Sequence, residues 1–191
     1  MNNRSKKYFR LLKSFDRNSP LNAPANFSTF YEQTHLSVFR YLYGLMGGSQ
    51  EDVEDLTAET FIRAWRARSS FQGEEQAALC WIMKIARRLV IDNYRRRKAR
   101  PETAGEISDD LPQAGPQPEE IVLIGEEQQL LWSLLQMLPE EQREVLTLRY
   151  LLGWQVKEIA AYLEVTEDSI SIAIHRSLER LRQRWPQQKE N

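Results

Sequence analysis

Two amphipathic segments of opposite charge lie back to back between Asp52 and Arg100, and they limit what the chain can become. The first, DVEDLTAETFIRAW, is acidic. A short stretch, SSFQGEEQAA, leads to the second, WIMKIARRLVIDNYRRRKAR, which ends in a basic run. In the acidic segment Val53, Leu56, Thr57, Thr60, Phe61, Ala64 and Trp65 recur at three- and four-residue steps, which predicts a helix over Gln50–Arg66 with one apolar stripe. Glu51, Asp52, Glu54 and Asp55 crowd its first turn, where the helix dipole favours negative charge. Taken alone, a well-capped core helix with a solvated acidic face accounts for this pattern.

In the basic segment Ile82, Ile85, Ala86, Leu89, Val90, Asn93 and Tyr94 share a face, and Lys84, Arg87, Arg88, Asp92 and Arg95 take the other. Between Lys84 and Arg100 stand eight Lys/Arg (84, 87, 88, 95, 96, 97, 98, 100) and one acid, Asp92. Phe71, Trp81 and Tyr94 lie in or near this helix. Cations for phosphates with rings for stacking suit single-stranded nucleic acid, although basic helix ends also suit the dipole. Ser69–Ala78, with Gly73 inside it, reads as a loop. Trp81 is equally suited to a core.

A helix upstream is expected from Asn26, with Phe27, Phe30, Tyr31, Thr34, Val38, Leu42 and Leu45 in register. Gly47-Gly48 should stop it, and Ser49 should cap the next helix. Residues 1–24 read as a basic, disordered tail in which Tyr8, Phe9, Leu11, Leu12 and Phe15 could line one short face. Downstream, Pro101–Glu120 carries four prolines, two glycines and six acids (102, 106, 109, 110, 119, 120) without Lys or Arg, the composition of a flexible linker between two domains. The net charge of −1 conceals these blocks and by itself decides nothing about nucleic acid.

The second half reads as all helix. Leu130, Leu131, Leu134, Leu135 and Leu138 belong to one helix. Pro139, Glu140 and Glu141 open another that carries Val145, Leu146, Leu148, Arg149 and Tyr150 towards Gly153. Ile159, Ala160 and Leu163, a turn at Glu164-Val165, then Ile170, Ile174, Leu178 and Leu181 give two helices in tight succession, with Thr166 as N-cap and Glu167 and Asp168 in the first turn. This is helix-turn-helix patterning, which helical hairpins with no DNA role also share.

No enzyme is expected. The two histidines, His35 and His175, lie far apart, the single cysteine, Cys80, sits inside a helical run, and no phosphate loop or metal-ligand spacing is present. Cys80 reads as a small buried hydrophobe rather than a redox sensor, and one cysteine forms no internal disulfide, which suits a reducing cytosol. The basic N-terminus lacks the apolar core of a secretory signal. No apolar run approaches the ~20 residues of a membrane span. A cytoplasmic placement is expected, without membrane insertion, cofactor, metal or small-molecule substrate.

The two halves together are specific. DVEDLTAETFIRAW followed by WIMKIARRLVIDNYRRR resembles region 2 of the extracytoplasmic-function (ECF) group of bacterial sigma-70-family factors, and LPEEQREVLTLRYLLGWQVKEIAAYLEVTEDSISIAIHRSLERLR resembles their region 4. The resemblance covers about residues 27–100 and 124–185 in the family's order, with a short linker. It implies an all-α chain of two small helical domains: region 2 over 25–100, a linker over 101–122, a helix-turn-helix region 4 over 123–186 and a tail over 187–191. It also implies partners: core RNA polymerase, met at the β′ clamp coiled coil and the β flap, promoter DNA, and an anti-sigma factor. Asp52, Asp55, Glu59 and Arg63 are assigned by the resemblance to the clamp. Phe71, Gln72, Trp81, Lys84, Arg87, Arg88, Arg95 and Arg96 are assigned to the −10 element, where a flipped base must be held against lost stacking. Ser169, Ser171, Ile172, His175, Arg176 and Arg180 are assigned to the major groove of the −35 element.

The sequence departs from the family pattern at Glu164, where glycine is usual, at Gln155, where Ser or Thr caps, and at Ser171 and Ala173, where basic residues are common. Only His175 and Arg176 remain as strong polar readers in the middle of the recognition helix, so weak −35 anchoring is expected. A stand-alone helix-turn-helix regulator is the alternative, and it leaves the acidic helix and its basic successor unexplained.

Overall fold

The computed structural model describes residues 21, 23–47, 50–71, 73, 75–99 and 132–184. The tail, the linker, Ser49, Gln72 and the leucines at 130 and 131 lie outside the described residues, apart from Leu21 and Ala23. Every regular element among the described residues is helical, and they fall into two compact units.

The first unit is built on three helices: α1 (Pro24–Met46) as far as Tyr43, α2 (Gln50–Ala67) and α3 (Glu75–Ala99), while Gly44–Gly47 group with the second unit. Helix α1 starts with proline in its first turn, where a missing N–H costs nothing, and Gly47 follows its end at φ +54°. Leu21, just ahead of α1, is buried, so packed structure reaches back into the stretch read as tail. The core of this unit is aromatic where α1 meets α2. Phe27 stands edge-on to Trp65 at 5.0 Å, Phe30 to Phe61 at 6.5 Å, and Tyr31 to Phe61 at 4.7 Å. Edge-to-face pairs add to the burial of area itself. Tyr31 remains 46% exposed and stacks on His35, so it rims this core rather than filling it.

The buried threonines return their hydroxyls to the helix backbone. Thr34 donates to the Phe30 carbonyl at 2.6 Å, and Thr60 to the Leu56 carbonyl at 2.7 Å. Helix α3 packs on α2 through Ile82, Met83, Ala86, Leu89 and Val90, all buried. It begins at Glu75, so the segment expected to stay a loop through Ala78 is already helical in its last four residues. Ala77 and Ala78 are strong helix formers, and Ala78 is buried.

The second unit opens with helical residues 132–136 and continues through α4 (Glu140–Leu146), α5 (Val156–Leu163) and α6 (Glu167–Arg184). Leu135, Leu138 and Leu146 form a buried cluster against which Trp132, Ile174 and Leu181 pack. Arg143 is buried, and its guanidinium donates to the carbonyls of Leu135 (3.1 Å), Gln136 (3.1 Å) and Leu138 (3.0 Å). A helix end leaves such carbonyls without partners, so this arginine caps the preceding helix from the side. Helix α4 does not run on regularly towards Gly153. Thr147–Leu151 widens into a π-helical turn, with the Leu152 amide donating to the Thr147 carbonyl at 3.2 Å. Trp154 is buried behind it, edge-on to Tyr162 at 5.2 Å.

Candidate functional site

The outward face of α2 follows from its inward one. With Val53, Leu56, Thr60, Phe61 and Ala64 buried, helical periodicity turns Asp52, Asp55, Glu59, Ile62, Arg63 and Arg66 outward. Asp55 and Arg63 are exposed, and Asp52 and Glu59 are partly so. Glu59 and Arg63 pair at 2.7 Å, one turn apart. Exposed i,i+4 pairs contribute only about 0.3–0.5 kcal/mol, so this one orients side chains more than it stabilises the helix. Ile62 is 45% exposed at the edge of these charges, and sequence reading missed it. Its signal was present, because it falls nearly half a turn from the middle of the buried stripe.

Beyond α2 the chain turns through a 3-10 segment, Arg68–Ser70. The Arg68 guanidinium lies 3.6 Å from the centre of the Trp65 ring and donates to the Trp65 carbonyl at 2.6 Å, which anchors the turn to the helix. Phe71 then meets Trp81 of α3, ring centres 5.1 Å apart and tilted by 41°. Both rings are half-buried. A Cβ on Gly73 would stand 3.0 Å from the Phe71 ring and 3.1 Å from the Ala77 Cβ, so a side chain there would make its neighbours give way by a few tenths of an ångström. Trp81 is therefore neither core nor free. It shares with Phe71 a ring pair at the edge of the α3 outer face.

Periodicity places Trp81, Lys84, Arg88 and Arg95 on that same face, with Arg87 and Arg96 to either side. Lys84, Arg88, Arg95 and Arg96 are exposed, and Arg87 is half-buried. Gln72 lies outside the described residues.

In the second unit α5 and α6 form the expected helix pair. Gln155 precedes α5, and the Glu158 carboxylate reaches back to accept from the Gln155 amide at 2.6 Å, so one half of a capping box is kept without Ser or Thr. Glu164 adopts the left-handed conformation, φ 60° and ψ 42°, at the turn. The left-handed region is costly for a residue with a Cβ, which is why glycine is usual at such a turn. Thr166 caps α6 as expected, accepting from the Ser169 amide at 3.2 Å.

The register of α6 differs from the sequence expectation at one place. Ile170 and Ser177 are buried, and Ile174 and Leu181 pack inward. Leu178, expected among the apolar positions of this pair, is 43% exposed. Ser177 occupies the inner position instead, and its hydroxyl donates to the Ala173 carbonyl at 2.6 Å. A serine that satisfies itself in this way suits a close approach of helices better than leucine does.

The hydroxyls of the first α6 turns are also engaged locally. Thr166 and Ser169 share a hydrogen bond at 2.8 Å, and Ser171 donates to the Glu167 carbonyl at 2.9 Å. Arg180 donates to Gln142 of α4 at 2.9 Å. Ile172, His175 and Arg176 are exposed.

Comparison with known proteins assigns both units to one family. The Sigma-70 region 2 profile matches residues 30–100, and the Sigma-70, region 4 profile matches residues 128–181. The chain is 34% identical over 161 residues to the ECF RNA polymerase sigma factor BldN of Streptomyces coelicolor, an alignment of 84% of this chain and 60% of that protein. It is 31% identical over 149 residues to the ECF RNA polymerase sigma factor SigF of Caulobacter vibrioides, covering 75% of this chain and 76% of the relative. In fold it resembles the sigma factor RpoE of Bartonella quintana, solved with the anti-sigma factor NepR, with a TM-score of 0.66 and 20% identity over 86% of this chain and 99% of that one. The chain belongs to the ECF sigma factors of the sigma-70 family. It spans 60% of the length of BldN.

Proposed function

We propose that this chain binds core RNA polymerase and directs it to particular promoters, acting in the cytoplasm. The observation that carries the reading is the presence, in one chain, of a charged docking face on α2, a cationic face with a ring pair on α3, and a helix-turn-helix. A stand-alone DNA-binding regulator needs only the last of these. Asp52, Asp55, Glu59 and Arg63 meet the β′ clamp coiled coil, with Ile62 supplying an apolar contact at the edge of the patch. Phe71, Gln72, Trp81, Lys84, Arg87, Arg88, Arg95 and Arg96 hold and open the −10 element. Positive charge follows the backbone while rings stack on unpaired bases.

Helix α6 reads the −35 element through Ile172, His175 and Arg176, while Ser169, Ser171 and Arg180 hold its frame. The second unit also contacts the β flap. The domain limits are 25–100 and 123–186, joined by the 101–122 linker. An anti-sigma factor is a further partner, since the structurally similar RpoE was solved with NepR and a free factor would compete continuously for polymerase.

Run-off transcription tests this reading. Full-length protein and core polymerase are incubated with a genomic promoter library, and the transcripts are sequenced. Discrete start sites that depend on the added chain are expected. Failure to co-elute with core polymerase, together with specific DNA binding by the chain alone, would establish the stand-alone regulator instead.

A further inference from the structure

We infer that the recognition helix α6 reads a thymine in the −35 element through its 5-methyl group, with Ile172 as the reading side chain. This rests on the sigma-factor reading above and goes one step into its chemistry. The buried stripe Ile170, Ile174, Ser177 and Leu181 fixes which way α6 faces. Opposite it, periodicity lines up Asp168, Ile172, His175 and Glu179 as the outermost residues. Arg176 and Arg180 stand on one side of this line and Arg182 on the other. The charge pattern is that of a groove reader, with cations towards both flanks, where the two phosphate backbones run, and none in the middle, where base edges lie.

Along that central line Ile172 is the apolar residue, and it is 50% exposed. Neighbouring hydroxyls do not compete for the bases, because Ser169 is held by Thr166 and Ser171 by the Glu167 carbonyl. The major groove offers one apolar group of matching size, the thymine 5-methyl. Asp168 and Glu179, above and below on the line, disfavour a close phosphate and so keep α6 centred over the bases.

The test uses full-length chain with core polymerase and a promoter library randomised over the −35 element. Wild type should enrich thymine, on either strand, at one position, and Ile172→Ala should lose that preference while keeping the others. On the selected promoter, replacing that thymine by deoxyuridine removes only the methyl group. Binding by wild-type holoenzyme should fall about fourfold, the worth of one buried methyl. Ile172→Ala should bind the two promoters equally, and Ile172→Val should restore part of the difference. Equal deoxyuridine penalties in wild type and Ile172→Ala, or no enriched thymine, would overturn the inference while leaving polymerase-dependent transcription intact. The same two duplexes titrated with the chain alone separate the other failure. Methyl-dependent binding without polymerase engagement would sustain the thymine contact and sink the sigma-factor reading.

Discussion

On the reading proposed above, helices α3 and α6 meet DNA in opposite ways. Helix α3 gathers Lys84, Arg88 and Arg95 on one face beside the Phe71–Trp81 ring pair. Helix α6 keeps its cations at the edges and spends its centre on Asp168, Ile172, His175 and Glu179. A face of aligned cations attracts any phosphate backbone, so its binding is strong, salt-dependent and indifferent to duplex sequence. A face whose centre carries Asp168 and Glu179 but no lysine or arginine gains little from phosphates and depends on shape and base chemistry. The first surface is suited to holding and opening a strand, the second to choosing where.

The most damaging test removes the platform that both surfaces share. Reversing charge at Asp55 and Glu59 (Asp55→Lys with Glu59→Lys) should cut holoenzyme formation at least a hundredfold, because facing like charges at an interface costs several kcal/mol. Both reading surfaces should fail together. The helical circular-dichroism signal should persist, since losing the Glu59–Arg63 pair costs only a few tenths of a kcal/mol. Unchanged co-elution with core polymerase would move the docking face away from α2.

Next comes a test that separates the surfaces. Arg87→Ala with Arg88→Ala should impair promoter opening even with an intact −35 element. It should also lower the slope of log affinity against log salt by about 0.7–0.9 for each phosphate that is no longer neutralised. Transcription from a template pre-melted over the −10 element should recover at least in part. Arg176→Ala should behave in the reverse manner. It should cost about 1–3 kcal/mol of −35 discrimination, leave the salt slope of opening nearly unchanged, and gain little from pre-melting. Rescue of Arg176→Ala by pre-melting, with the double variant remaining inactive, would exchange the roles of the two surfaces.

The smallest effect asks whether α6 is limited by its chemistry or by its turn. Glu164→Gly relieves a left-handed residue at φ 60° but adds chain entropy in the unfolded state. The net gain should be about 0.5–1 kcal/mol, seen as a rise in melting temperature of a few degrees. Discrimination at −35 should not change. If it sharpens, the turn and not the side chains set the weakness of this reading head.

Much of this molecule is decided by pattern. The three- and four-residue spacing in 27–45, 53–65 and 82–94 determined the three helices of the first unit, and glycine and threonine marked Gly47 and Thr166 as boundaries. The charge blocks on α2 and α3 were equally legible, because a helix separates polar from apolar residues by a fixed angle. Periodicity could not decide between neighbours of similar angle. It admitted Leu178 where only Ser177 is buried, and it passed over Met83, Trp154 and Ile62. Nor could it foresee the π turn at Thr147–Leu151, the cap that Arg143 places on three carbonyls, or the pairing of Phe71 with Trp81. These depend on which side chains meet across short turns, which the spacing of apolar residues does not fix. Local sequence fixes a helix and its apolar direction through backbone hydrogen bonds and spacing. The exact register of burial, and the rings and cations left facing outward, are settled only when close packing against other helices rejects the side chains that do not fit.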